Sequence, residues 1–453
     1  MALISTILSY LVPILGAIMI LVFIHELGHF LAARLFGMRV EKFSVGFPPR
    51  LFGVKIGDTD YSVGLTPLGG YVSISGMVDE RMDDSFAEKP LEPWEYRAKP
   101  VWQRMIVIVA GVVFNMILAW VIYAGIKGVY GDTVIPADEV SGIFVEEGSL
   151  FYAMGMRTGD RVLAVNGEPL QTYDDLLSEE AIVQGMYVVE VDRGGNVLTL
   201  EGPEDMMTQL NRTQGDLGYS LVPAWVSDVV SGSPAEAAGV LTGDQIQTIN
   251  GTAMPFWEGL LAAVGSSEGD TLVLGVRRTG VDSLIQLSVV PNQASAEGRY
   301  TIGVYPPTEA MLREAYQVET RTYSFAGALG AGWEQTMSTS TVIIKSFARM
   351  FTGKEDVREN LGGPIMIAKI TKQAAEAGAL FFWNIVATLS ITLAIINILP
   401  IPALDGGHLV FLIIEAVTRR EPSLRVRMWA QQIGFFLMLG LMAFLIINDL
   451  LKL

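Results

Sequence analysis

Two of the three histidines in this 453-residue chain lie four residues apart, in His25-Glu26-Leu27-Gly28-His29. Residues four apart share one face of a helix, so both imidazoles can bind one Zn²⁺ while Glu26 reaches an adjacent water molecule. This pattern predicts metal-assisted hydrolysis, with Glu26 as the group that moves the proton. The alternative is a helix end at which these side chains merely lie at the membrane interface.

A catalytic zinc site needs a third protein ligand and an open position for water. The chain has no cysteine, so the third ligand has to be a histidine or a carboxylate. Our candidate is Asp405, in the run NILPIPALDGGH that extends from Asn397 to His408. As an alternative, an aspartate at this point caps the N-terminus of the helix that follows. We interpret His408, the third histidine, as local structure and leave it out of the catalytic set.

Four apolar segments would position these residues, at about residues 4–24, 104–126, 380–400 and 430–447. Ten Lys and Arg residues extend from Arg34 to Arg104, and four arginines lie between the third and fourth segments. Because cytoplasmic loops are enriched in Lys and Arg, we expect both connections in the cytoplasm and both chain termini on the opposite side. The two histidines and Asp405 are then predicted at the same, cytoplasmic end of the spans.

The acidity of the chain is concentrated in one block. The formal net charge is −17, and residues 128–378 contain 33 acidic and 15 basic side chains. Nothing here resembles a basic nucleic-acid-binding surface, so no nucleic-acid partner is expected. The orientation above places this soluble block in the periplasm of a Gram-negative cell.

The acidic block contains an internal repeat. Residues 148–170 align without gaps to residues 232–254, with nine of 23 positions identical, among them the Gly-Asp and Asn-Gly pairs. Each copy predicts a short helix, a Gly-Asp turn, a strand and an Asn-Gly hairpin turn. The pattern resembles PDZ domains, which bind extended peptides by strand addition. Alternatively, both copies are β-rich domains without a ligand site that act as spacers or as a steric screen.

Two further segments have a predicted structure. Residues 38–76 alternate in the manner of strands, with Gly57-Asp58 as a hairpin turn. Residues 322–351 have the apolar periodicity of an amphipathic helix, which would lie either on the outer membrane surface or on the second PDZ-like domain.

Taken together, the motifs resemble the site-2 protease family of intramembrane zinc metalloproteases, peptidase family M50. The resemblance covers essentially the whole chain and includes PLGGYV at 67–72, LGGPI at 361–365, the run from Asn397 to Asp405 and the repeat. It implies a polytopic α-helical membrane protein with four transmembrane helices, a membrane-reentrant β-loop and two periplasmic PDZ domains. The implied boundaries are 1–37 (first span), 38–100 (β-loop), 101–127 (second span), 128–220 and 221–308 (PDZ domains), 309–379 (periplasmic amphipathic helical region), 380–408 (third span), 409–428 (cytoplasmic helix or loop) and 429–453 (fourth span).

The resemblance also implies roles for individual residues. His25, His29 and Asp405 would bind one Zn²⁺ per chain, and Glu26 would act as general base and acid. Substrate-binding positions would be Asn397, Pro400, Pro402, Gly64 and Tyr71. The substrates would be single-pass proteins of the bacterial inner membrane, including an anti-sigma factor already cut in the periplasm and remnants of signal peptides. The PDZ domains would contact the periplasmic region or a new C-terminus of the substrate, and lipid would surround the spans.

Two departures from the family pattern and two rival functions stay open. Pro48 stands where relatives often have the last glycine of Gly-aromatic-Gly, and Val112 stands where a proline is common. The rival functions are a PDZ-bearing membrane scaffold and a metal transporter. A scaffold is expected to lack Glu26 or a ligand, and a transporter is expected to repeat polar residues through several spans.

Overall fold

The computed structural model describes residues 2–77, 90–213, 215–293 and 299–452, with side chains from residue 9 onward except at 67 and 68. Part of the predicted 38–100 segment, residues 78–89, therefore lies outside the described residues. The chain divides into two units. We call residues 1–131, 322–351 and 357–453 the membrane unit, and residues 132–321 and 352–356 the repeat unit.

The described residues form fourteen α-helices. Four of them, α1, α2, α12 and α14, are long and apolar enough to cross a membrane, which confirms the prediction of four spans. The helices are α1 (Ala2–Leu35), α2 (Val101–Tyr130), α3 (Leu150–Ala153), α4 (Glu179–Val183), α5 (Met206–Arg212), α6 (Pro234–Ala238), α7 (Trp257–Gly265), α8 (Glu309–Ala315), α9 (Phe325–Phe351), α10 (Val357–Asn360), α11 (Pro364–Ala377), α12 (Ala379–Ile398), α13 (Asp405–Thr418) and α14 (Leu424–Lys452).

Two polar residues of the third span, Thr388 and Ser390, contact the second span. Ser390 in α12 donates a hydrogen bond to the Asn115 carbonyl of α2 at 2.8 Å, and Thr388 bonds the Tyr123 hydroxyl at 3.1 Å. An apolar cluster that includes Ala119 and Ile391 fills the space around these contacts. Because polar side chains are costly against lipid, hydroxyls that bond across helices fix which face of α12 turns inward.

The described residues also form three short 3-10 helices (Tyr96–Ala98, Ala137–Glu139 and Tyr173–Leu177) and eighteen strands: β1 (Val40–Ile56), β2 (Thr59–Ile74), β3 (Asp132–Val134), β4 (Phe144–Val145), β5 (Arg161–Val165), β6 (Glu168–Pro169), β7 (Val188–Arg193), β8 (Asn196–Glu201), β9 (Tyr219–Ser220), β10 (Asp228–Val229), β11 (Gln245–Ile249), β12 (Thr252–Ala253), β13 (Leu272–Arg277), β14 (Ile285–Val289), β15 (Asn292–Gln293), β16 (Tyr300–Thr301), β17 (Val304–Tyr305) and β18 (Glu319–Arg321).

Strands β1 and β2 belong to the membrane unit and fold back on each other. They pair from Ile56 with Thr59 next to the turn, and again from Val45 with Gly70 to Val40 with Ile74. The register shifts between the pairs Phe47–Thr66 and Arg50–Gly64. Pro48 falls in this interruption, where no ladder hydrogen bond from its nitrogen is required.

The repeat unit contains two four-stranded sheets with the same strand order, β6-β5-β7-β8 and β12-β11-β13-β14. Each sheet covers its own buried apolar core. The Asn-Gly turns have positive φ at both positions in each copy, as the hairpin prediction requires. Asn166 Oδ1 also accepts a hydrogen bond from the backbone N–H of Val188, and Asn250 Oδ1 accepts one from Val273. The two copies therefore share the same strand order and the same turn conformation.

Candidate metal centre

Helices α1 and α2 approach closely because glycines meet at the crossing. A Cβ atom on Gly28 would lie 2.4 Å from the carbonyl oxygen of Ala110. A Cβ atom on Gly111 would lie 2.5 Å from Nε2 of His29 and 2.7 Å from Cε1 of His25. The two imidazoles therefore occupy the space that any other residue at 111 would fill.

Three potential ligand atoms converge at this crossing. Nε2 of His25 and Nε2 of His29 are 3.2 Å apart. Oδ2 of Asp405 lies 3.1 Å from the first nitrogen and 3.4 Å from the second. Zinc–ligand bonds of about 2.0–2.1 Å at tetrahedral angles separate ligand atoms by about 3.3 Å, so the three atoms fit a zinc ion. Asp405 Oδ2 is buried and accepts no hydrogen bond from the described residues, which leaves it available to a cation.

The second nitrogen of each imidazole has a partner in α2. His29 Nδ1 lies 2.8 Å from the carbonyl oxygen of Val107, to which it donates a hydrogen bond, so its Nε2 carries the lone pair. His25 Nδ1 lies 3.3 Å from the carboxamide of Asn115, whose Oδ1 is buried without a partner among the described residues. A half-turn of this carboxamide places Oδ1 where it accepts from Nδ1–H of His25. Both histidines are then oriented to bind metal through Nε2.

Asp405 reaches the histidines because the chain turns sharply after the third span. Helix α12 ends at Ile398, and α13 begins at Asp405 itself, with Leu404 at the N-cap position. The alternative that Asp405 is the N-cap residue is therefore wrong: its side chain makes no cap bond and faces the imidazoles. Gly406 closes the turn, since a Cβ there would lie 2.0 Å from the carbonyl oxygen of Leu399.

Glu26 lies in the wall of a cavity of about 230 Å³ that the two histidines and Asp405 also line. Strand β2 forms the opposite part of this wall with Gly69, Gly70, Tyr71 and Val72. Gly70 packs close to Glu26, since a Cβ on this glycine would lie 3.5 Å from Cγ of Glu26. Glu26, the candidate ligand residues and a strand segment thus line one cavity.

The predicted substrate-binding residues fall in three places. Asn397 lines the cavity, with Nδ2 3.4 Å from Nε2 of His25, and Tyr71 lines it as well. Pro400 and Pro402 lie in the turn between α12 and α13, outside this lining. Gly64 packs against the backbone of Gly46 and is also outside it.

Sequence reasoning did not anticipate two contacts from α14. A Cβ on Gly434 would lie 1.9 Å from the Pro402 carbonyl oxygen, and Nε2 of Gln431 lies 3.0 Å from Nε2 of His408. Neither residue lies near a metal motif in the sequence. Only the packing of α14 against α13 and against the turn before it shows these contacts. Gly111 precedes Asn115 by four residues and so shares its helix face, but the sequence does not show which helix that face meets.

The chain is similar to known proteins over nearly its whole length. The profile of peptidase family M50 matches residues 13–441. The regulator of sigma E protease of Haemophilus influenzae is 33% identical over 458 residues, covering 96% of this chain and 97% of its own. The regulator of sigma-E protease RseP of Escherichia coli K12 is 31% identical over 451 residues, covering 96% of each chain. A protein of Neisseria meningitidis named as a candidate zinc metalloprotease is 31% identical over 462 residues, with 98% and 99% covered.

The match extends over nearly the entire sequence and includes every element that builds the cavity. It also agrees with four membrane-spanning helices and with a His-His-Asp group of the right dimensions for zinc. The chain therefore belongs to peptidase family M50, as a membrane-embedded zinc metalloprotease of the site-2 type.

Proposed function

We propose that this protein cuts single-pass membrane proteins within or near their transmembrane segments, with zinc held by His25, His29 and Asp405. The observation that carries this proposal is the convergence of three buried ligand atoms between apolar helices, beside Glu26. Zinc held by these residues would supply a water molecule whose pKa is lowered towards about 7 and would polarise the scissile carbonyl. The side chains of the protein then have to orient the substrate peptide and transfer one proton.

Glu26 moves this proton. As water adds to the scissile carbonyl carbon, the carboxylate of Glu26 takes a proton and passes it to the amide nitrogen as the C–N bond breaks. The packing of Gly70 against Glu26 keeps the carboxylate beside the cavity. The products are a carboxylate on one fragment and an amine on the other.

Strand β2 has the position needed to hold a substrate in extended form. Its segment Gly70–Ile74 pairs with Val40–Val45 on one side, and within the described residues no strand pairs with its other edge. A transmembrane substrate arrives as a helix whose carbonyls are bonded internally, so opening it in the membrane requires replacement hydrogen bonds. We infer that β2 supplies these bonds as a membrane-reentrant clamp and that Asn397 and Tyr71 contact the extended peptide.

The names of the relatives support a proposal for the cellular role by analogy. Two of them are named as regulators of sigma E. We propose by analogy that an anti-sigma factor, cut first in the periplasm, is a substrate here and that signal-peptide remnants are others. In the inner membrane, the repeat unit would then be periplasmic, where its PDZ-like domains exclude bulky substrates or read a new C-terminus.

The proposal is tested with Glu26→Gln in cells that carry a tagged, pre-trimmed single-pass substrate. Removal of the general base lowers cleavage about 10²–10⁴-fold while zinc remains bound. Glu376→Gln is the matched control, because this glutamate is exposed on α11 of the membrane unit, where it pairs with Lys372. Cleavage that continues in zinc-loaded Glu26→Gln contradicts the mechanism, and an unmodified protein that binds zinc without cutting favours the scaffold alternative.

A further inference from the structure

A buried ion pair in the membrane unit joins two of the helices that build the metal centre. Arg104, in the first turn of α2, donates Nη1 and Nη2 to the two carboxylate oxygens of Glu415 in α13, at 3.1 and 2.5 Å. The two side chains are only 6% and 14% exposed. Because two N–H···O bonds from one planar guanidinium are strongly directional, this pair fixes how α13 lies against α2.

Both helices carry parts of the metal centre. One turn after Arg104, the carbonyl oxygen of Val107 accepts the hydrogen bond from Nδ1 that orients His29. Helix α13 begins with Asp405 and contains Glu415 in its last turn. The distance between the carboxylate of Asp405 and the imidazole of His29 therefore depends on the position of α13 relative to α2.

Arg104 also contacts the segment that follows β2. Its guanidinium lies 5.8 Å from the ring centroid of the buried Tyr96, which is within the range of a cation–π contact. The backbone N–H of Tyr96 donates a 2.8 Å hydrogen bond to the carbonyl oxygen of Ser75, the residue directly after β2. One arginine thus links α2, α13 and the end of β2, three elements whose residues line the metal cavity.

Stability is a weak explanation for two charges at this position. Burial of an ion pair removes both charges from water, and apolar side chains of similar volume in the same place are often equally or more stabilising. A buried ion pair can instead select one arrangement of the helices that carry it. A zinc site needs such selection, because ligand distances have to lie within about 0.2 Å of their ideal values.

We propose that Arg104 and Glu415 are positioning residues of the metal centre, whose ion pair holds α13 against α2 so that Asp405 meets His25 and His29 at ligand distance. This inference rests on the zinc site of the proposed function and is independent of which substrate is cut. Both residues act through the helices that carry them.

The test replaces the pair in the full-length protein by Arg104→Met together with Glu415→Leu. These apolar side chains leave no charge unpaired, so the thermal unfolding midpoint of the metal-free protein in detergent should not fall. Zinc affinity, measured by competition with a chromophoric chelator, is expected to fall about tenfold, as for other groups that orient metal ligands.

The matched control is Arg427→Met together with Glu421→Leu. It removes a second Arg–Glu pair of the membrane unit, joined at 2.6 Å, that connects α14 to the segment before it. Since neither residue lies in α2 or α13, this control should bind zinc as tightly as the unmodified protein.

Equal zinc affinity in the Arg104/Glu415 double variant and the unmodified protein overturns the proposal, because the pair then contributes only to the fold. An equally large loss in the control also overturns it, since loss of any ion pair then has the same effect. If the double variant fails to fold or unfolds at a lower temperature, Arg104→Lys replaces it. This change keeps the charge but loses the planar two-bond geometry, so weaker zinc binding supports the proposal and unchanged binding contradicts it.

Zinc affinity is measured without substrate, which separates this inference from the proposed proteolysis. An unmodified protein that binds zinc but cuts no substrate contradicts the proposed proteolysis, while the comparison of zinc affinities still decides the role of Arg104 and Glu415.

Discussion

Asp405 of the membrane unit and Asp160 of the repeat unit are both aspartates with at least one buried carboxylate oxygen, yet their surroundings are opposite. Asp160 accepts hydrogen bonds from the guanidinium of Arg193, at 2.7 Å to each oxygen, and from the backbone N–H of Arg157. Asp405 Oδ2 faces two imidazole nitrogens and accepts no hydrogen bond from the described residues. A carboxylate supplied with donors stabilises its domain, whereas one that faces only other potential ligands is arranged for a cation.

The second copy of the repeat makes the contrast firmer. Asp244 accepts from Arg278 at 2.7 Å and from the backbone N–H of Leu241, so both copies reproduce the same cluster. In each, the arginine also donates to a glycine carbonyl near the end of the short helix. The hydrogen bond to Asp160 raises the pKa of Arg193 above its ordinary value.

The largest expected effect comes from Asp405→Asn. This substitution removes the ligand charge without changing side-chain volume, so zinc no longer binds at one ion per chain and cleavage is lost. Zinc content by atomic absorption and cleavage of a tagged substrate measure both outcomes. If zinc content stays at the unmodified level while cleavage is lost, Asp405 is not a ligand and the contrast with Asp160 fails.

A second large effect is expected from Gly111→Val. The added side chain enters the space of both imidazoles, so zinc affinity and cleavage fall together. Gly125→Val in the same helix is the control, because a Cβ there meets nothing within 4 Å. Equal zinc affinity in the two variants would show that Gly111 does not hold the imidazoles in place.

An intermediate effect is expected from Asp160→Asn and Asp244→Asn. Loss of charge-assisted hydrogen bonds at a buried group costs about 2–3 kcal/mol of local stability. The cost is slightly larger at Asp244, because its partner Arg278 is less exposed than Arg193 (27% against 38%). Hydrogen exchange of residues 132–321 in the full chain measures the change, with Glu168→Gln on the exposed surface as control. Loss of zinc in either variant would contradict a purely structural role.

The smallest effect is expected from Asp174→Asn. Partial burial, together with the nearby Asp175 and Asp132, raises the pKa of Asp174, so this carboxylate opposes folding only once it is ionised. The destabilisation by the ionised Asp174 carboxylate is absent below the ordinary pKa of aspartate. It appears as the pH rises through the higher pKa of the folded state. The free energy of unfolding of Asp174→Asn should therefore be higher than that of the unmodified protein by up to about 0.5 kcal/mol at pH 7, and equal to it at about pH 3. Hydrogen exchange at the two pH values checks this, and a gain at pH 3 would contradict it.

Much of the candidate site was predictable because its residues lie in short, chemically distinctive motifs. The spacing of His25, Glu26 and His29 already predicts a helix face that binds metal. The charge of the connecting segments predicted Asp405 at the same membrane depth. The contacts of Asn115, Gly111, Gln431 and Gly434 were not predictable in this way, because each depends on which face of one helix meets another.

The local, one-dimensional properties of this protein could be predicted from its residues: four apolar spans, a repeated Gly-Asp and Asn-Gly pattern, and the residue types at the candidate metal site. These follow from hydropathy, turn chemistry and residue spacing, which act over a few residues. Only the tertiary structure shows that the carboxylate of Asp405 faces both imidazoles instead of capping a helix, and that glycines 28 and 111 let α1 and α2 approach closely. Both depend on contacts between residues as much as 380 positions apart, from His25 to Asp405, whose geometry is set by helix packing.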